Sequence, residues 1–108
     1  TEVGLTDDEL GTPLGSLAPL SRQRLRLGRA LALDPRVLLA EHPNAPLSAA
    51  DTRAFAELVR HVVAGRRISS VVVTADHAFA AAISPHVLTL QPATGLLKRS
   101  SGWRRWLS

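Results

Sequence analysis

Apolar residues recur at helical spacing at Leu20, Leu27, Ala30 and Leu31, while Arg22, Arg24, Arg26 and Arg29 take the remaining face. This amphipathic pattern predicts a helix from about Ser21 to Leu33, just after Pro19. Asp34-Pro35 stops it, because a residue before proline avoids the helical region. The all-apolar run Val37-Leu38-Leu39-Ala40 then has a helix on each side, as expected of a parallel strand covered on both faces. After a turn at Pro43 and Pro46, Ser48 is a suitable N-cap with Asp51 three residues on. The helix it opens carries Phe55, Leu58, Val59 and Val62 inward, runs to Ala64 and is ended by Gly65. Ile68 to Thr74 is a β-branched strand, Ala75 to Ile83 a short alanine-rich helix, and His86 to Leu90 a third strand. Ala93-Thr94-Gly95 predicts a hairpin turn into Leu96-Leu97-Lys98. Near the start, the stretch around Thr6 to Leu10 suits a short helix or turn, with Asp7-Asp8-Glu9 favouring a helix N-terminus electrostatically, before a loop through Gly11, Pro13 and Gly15. Strands alternating with helices imply parallel pairing through right-handed crossovers, an α/β domain.

A length of 108 residues with 45% apolar side chains allows one small domain, or part of a larger one. The absence of cysteine excludes disulfides and thiolate metal sites, and fits a reducing compartment. No apolar run approaches the roughly 20 residues that span a bilayer. The acidic start lacks the order of a signal peptide. A first residue other than Met fits a processed or excised piece. The net charge of +4 is concentrated in the Arg22–Arg29 helix and in Lys98, Arg99, Arg104 and Arg105. That balance permits nucleic-acid or acidic-membrane contact, although two Phe and two Trp supply no aromatic platform for bases. His42, His61, His77 and His86 have no metal-ligand spacing, and no G-x-S-x-G elbow occurs.

The segment from Leu17 to Leu47, with Gln23-Arg24, Arg29-Ala30-Leu31, Asp34-Pro35 and an apolar strand, resembles the ATP-binding-cassette (ABC) ATPases. There a signature motif Leu-Ser-Gly-Gly-Gln precedes such a helix, and the Walker B strand ends Asp-Glu-Pro. The resemblance covers nearly the whole chain and implies a parallel-sheet P-loop NTPase-like half-domain with a terminal β-hairpin. It places residues 1–98 as the C-terminal portion of an ABC-type ATP-binding domain and 99–108 as a basic, Trp-containing tail. No G-x-x-x-x-G-K-[ST] phosphate loop is present. On the family pattern, Ala18, Pro19, Leu20 and Ser21 occupy the signature positions. Ala18 lacks the hydroxyl, Pro19 lacks an N–H, and Leu20 fills space that glycine leaves for phosphate. Glu41 takes the position that orients Mg²⁺ through water, and His42 that of the carboxylate which activates the attacking water. Ala45-Pro46-Leu47-Ser48 replaces the Ser-Ala-Leu-Asp loop, and Ala75 stands where a histidine contacts the γ-phosphate.

Several positions that touch nucleotide, metal or water in the family are thus altered together. The expected function is a degenerate ATP-binding portion of an ABC transporter, non-hydrolysing or weakly hydrolysing, with ATP and Mg²⁺ binding weak or lost. The resemblance implies three partners: an N-terminal half with the phosphate loop, a second ATP-binding domain, and transmembrane transporter subunits. It also implies a cytoplasmic location peripheral to the membrane. Two alternatives remain open: an interaction scaffold that keeps the fold, and a basic membrane-surface or nucleic-acid binder. Trp103, Arg104, Arg105 and Trp106 suit an anionic membrane surface, or packing onto the domain or a missing segment.

Overall fold

The computed structural model describes residues 1–99. The expectations for Trp103, Arg104, Arg105 and Trp106 lie outside the described residues, as does nearly all of the tail that begins at position 99. The element order is α1 (Asp7–Leu10), a 3₁₀ turn (Leu14–Ser16), α2 (Pro19–Leu31), β1 (Val37–Glu41), α3 (Ala49–Arg66), β2 (Ser69–Val73), α4 (His77–Ile83), β3 (Leu88–Gln91) and β4 (Leu96–Arg99). Helix starts follow local capping chemistry. The Thr6 hydroxyl accepts from the Glu9 N–H while Glu9 reaches back to the Thr6 N–H, a reciprocal capping box. Ser48 caps α3 by accepting from the Asp51 N–H at 3.2 Å, and Asp76 caps α4 through Phe79. Several boundaries differ from the pattern-based expectation. Helix α2 starts at Pro19 and closes at Leu31, where its cap N–H turns back to Gly28 and Ala30 and leaves Leu33 in solvent. Helix α3 runs past Gly65, and Arg67 supplies the left-handed residue at its end, with φ 55°.

β1 and β2 pair in parallel, with Val37 opposite Ser69 and Glu41 opposite Val73. The expected third parallel strand does not join them. β3 pairs antiparallel with β4 across a turn in which Gly95 takes φ 69° and its N–H donates to Gln91 O at 2.7 Å. Closing this hairpin fixes only a few residues, whereas docking β3 on β2 requires a non-local pairing. The fold is therefore mixed α/β: one parallel pair, one antiparallel hairpin, and helices on one side of the parallel pair. The terminal hairpin is as the sequence predicts.

The core gathers Leu27 and Leu31 from α2, Leu38 from β1, Phe55, Ala56, Val59 and Val62 from α3, and Phe79 from α4, with Val72 packed against them. Val3 and Leu5 of the N-terminal segment complete it. Gly28 admits Val3, because a Cβ there would lie 3.3 Å from a Val3 methyl. Arg66 fastens the same segment, donating to both Glu2 carboxylate oxygens at 2.9 and 2.7 Å and to the Leu31 carbonyl at 3.0 Å. Val37, Leu39, Val71 and Val73 point the other way and are exposed. Coverage of β1 on both faces is thus not observed: all the packed helices meet the Leu38–Val72 face.

This one-sided burial yields a contrast in urea denaturation. Phe79→Ala, at 1% exposure, is expected to cost about 3–5 kcal/mol. Val71→Ser, at 55% exposure, is expected to stay within about 0.5 kcal/mol. Equal losses would show that the Val71 face is buried in solution.

Candidate functional site

Parallel pairing brings the C-terminal ends of β1 and β2 to one edge, where ligands sit in open α/β sheets. Glu41 is the last residue of β1 and shares the open face with Val37 and Leu39. His42 follows in a left-handed conformation, φ 47°, and its N–H donates to the Val73 carbonyl at 2.7 Å, extending the ladder one step. A non-glycine residue there is uncommon, and the short bond to β2 holds it. Ala75 lies in the turn leaving β2, so Glu41, His42 and Ala75 occupy the same strand-exit edge, all exposed. His77 is the exposed first residue of α4.

Ala18 is the N-cap of α2 and offers no side-chain bond, and Pro19 is in the first turn. With no proline N–H, fewer donors remain at this helix tip than at an ordinary N-terminus. Ser21 is buried, and its hydroxyl donates to the Glu9 carboxylate. That bond, the Thr6 N–H and hydroxyl, and the Arg24 charge hold the Glu9 carboxyl below its usual range. A cleft of about 120 Å³ lined by Pro19, Arg22, Gln23, Arg26 and Pro46 separates the start of α2 from the turn after β1. A wider groove, about 310 Å³, runs between α3, β2 and α4 and includes none of the predicted site residues.

Side chains to which the sequence assigned no such role tie these pieces together. Gln23 on α2 donates to the Pro43 carbonyl. Asn44, 9% exposed, accepts from the Thr74 hydroxyl at 3.1 Å and donates to Asp76 at 3.2 Å. Thr74 accepts the Asp76 N–H, and Asp76 accepts the Phe79 N–H with its other oxygen. The only sequence signals were an asparagine inside a proline-flanked turn and the Thr-x-Asp spacing of a helix cap.

The Glu9–Ser21 bond sets a pH dependence. A carboxyl held low in the folded state adds stability that is fully present above the ordinary glutamate value of about 4.3. That stability is lost as pH falls through the lower folded value. Ser21→Ala is expected to lower the Tm at pH 7 and to flatten the Tm decline between about pH 5 and 3. An unchanged profile in thermal melts would contradict the bond.

No protein-family model matches the chain. It is 31% identical to the phosphonates import ATP-binding protein of Rhodopseudomonas palustris, over 96% of this chain and 41% of that protein. An aliphatic sulfonates import ATP-binding protein of the same species is 36% identical over 83% of the chain and 32% of its own length. An uncharacterised ABC transporter ATP-binding protein of Mycobacterium bovis is 33% identical over 73% of the chain and 23% of its length. The chain thus spans less than half the length of these relatives. Their agreement on one family, on a chain whose candidate positions meet at the ends of two parallel strands, leads to a single assignment: this chain belongs to the ABC transporter ATP-binding proteins.

Proposed function

We propose that the chain is the C-terminal portion of an ABC transporter ATP-binding domain whose nucleotide-contacting positions have lost much of their chemistry. It acts as a non-hydrolysing or weakly hydrolysing half beside transmembrane subunits, at the cytoplasmic side of a membrane. The observation that supports this reading is the strand-exit edge itself: Glu41, His42 and Ala75 follow the ends of the same two parallel strands, and in this reading they correspond to the family's Mg²⁺-orienting carboxylate, water-activating carboxylate and γ-phosphate histidine.

The donors present do not fit Mg²⁺ and a triphosphate well. Glu41 brings one exposed carboxylate to the edge, and hard divalent cations at phosphate sites take one or two carboxylates plus phosphate oxygens. Ala75 has no side-chain donor, Pro19 no N–H, and the Ser21 hydroxyl already serves Glu9. What these residues do in this reading is structural: Glu41 and His42 end β1, and Ser21 anchors α2 to α1.

The phosphate loop would come from the rest of the domain, and its packing would cover Val37, Leu39, Val71 and Val73, which are exposed here. A second ATP-binding domain would meet the start of α2. Among the described residues no helix is long and apolar enough to cross a membrane. The chain alone should release no phosphate from MgATP above buffer. In the assembly with the rest of the domain, Glu41→Asp, His42→Glu and Ala75→His together are expected to raise turnover at least about tenfold, a change of about 1.4 kcal/mol in barrier. Turnover by the unaltered chain that His42→Ala abolishes would overturn the reading. An unresponsive triple variant that still folds and binds ATP would favour a scaffold that keeps only the fold.

A further inference from the structure

We propose that Asn44 is a positioning residue, a hydrogen-bonded clamp that fixes the distance between the two strand exits and so places Glu41 and His42 relative to Ala75. Asn44 leaves the turn after β1, while Thr74 and Asp76 flank Ala75 in the turn after β2. The Asn44 carboxamide spans them, with its oxygen taking the Thr74 hydroxyl at 3.1 Å and its nitrogen giving to Asp76 Oδ2 at 3.2 Å. Both flanking groups are themselves held. Asp76 N–H donates to Thr74 Oγ1 at 3.1 Å, and Phe79 N–H to Asp76 Oδ1 at 3.0 Å, so the clamp is continuous with the cap of α4.

The direction of each bond is set by chemistry. Asp76 presents only acceptors when ionised, so the Asn44 atom facing it must be the amide nitrogen, which turns the amide oxygen toward the Thr74 hydroxyl. Thr74 then donates to Asn44 and accepts from its own turn. No alternative amide orientation satisfies every partner, and a buried carboxamide with all partners met is costly to disturb. On the other side, Gln23 holds the Pro43 carbonyl next to Asn44, which extends the tie to α2. Glu41, His42 and His77, the titratable groups flanking the clamp along the chain, are exposed and make none of its bonds.

The role of the clamp in positioning rests on the proposed reading of the strand-exit edge, but its test needs no nucleotide. The full ¹⁵N-labelled chain is compared with Asn44→Asp, Asp76→Asn and the double variant. Asn44→Asp keeps the shape and sets two carboxylates against each other. At pH 7 it is expected to speed exchange of the Asp76 and Phe79 amides about tenfold and to shift the His42 and Ala75 resonances. Those shifts should return toward wild type as acid lets the pair share a proton. A space-filling role predicts no such recovery. The double variant reverses donor and acceptor and should restore the wild-type spectrum at pH 7. Unchanged resonances in Asn44→Asp, or failure of the double variant to restore them, would overturn the clamp. If Asn44→Asp does not fold, the same restoration by the double variant decides. Failure here would contradict the clamp alone, whereas phosphate release by the unaltered chain would contradict the functional reading alone.

Discussion

The parallel pairing of β1 with β2 is the constraint on which the rest depends. Its register, Leu39 opposite Val71 and Glu41 opposite Val73, makes both strands end at the same level. A slip of β1 by one residue would turn Leu38 out of the core and carry Glu41 to the helical side. The His42 N–H continues the ladder to Val73 and fixes where the chain leaves the sheet. From that exit follow the turn carrying Asn44, the cap of α3 at Ser48, and the meeting of Asn44 with Thr74 and Asp76. The helices contribute the burial that makes this register the favourable one, chiefly through Phe55, Val59, Val62 and Phe79.

What was legible in the sequence is what is decided locally. The stripes on α2 and α3, the cap at Ser48, the helix stop before Asp34-Pro35 and the Gly95 turn all act within a few residues, and they appear nearly where spacing predicts them. The partner of β3 was not legible, because Leu88 and Leu90 suit either a parallel sheet or a hairpin. Coverage of β1 was not legible for a related reason: Val37 to Ala40 has the composition of a strand buried on both faces, yet only one face meets helices here. Asn44 was invisible as a clamp because an asparagine between prolines also suits a plain turn, and its partners lie 30 and 32 residues away.

The family assignment and the altered positions bear on each other through geometry. Had Glu41, His42 and Ala75 been scattered, their departures from the family pattern would be ordinary surface variation. Gathered on one edge, with Ser21 committed to Glu9, they support the proposed reading of a site whose frame persists while its donors have changed. The frame is held by Asn44, Gln23 and the register, and none of these needs a nucleotide to form.

The shared strand-exit edge can be tested in solution with one spin label. The chain has no cysteine, so Ala75→Cys gives a single attachment point at an exposed position. Amides of Glu41, His42 and Asn44 should be strongly broadened. Those of Gly65 and Arg66, at the far end of an 18-residue helix about 27 Å long, should be spared. Equal broadening at both ends, or loss confined to Gly65 and Arg66, would contradict the parallel arrangement that brings the site together.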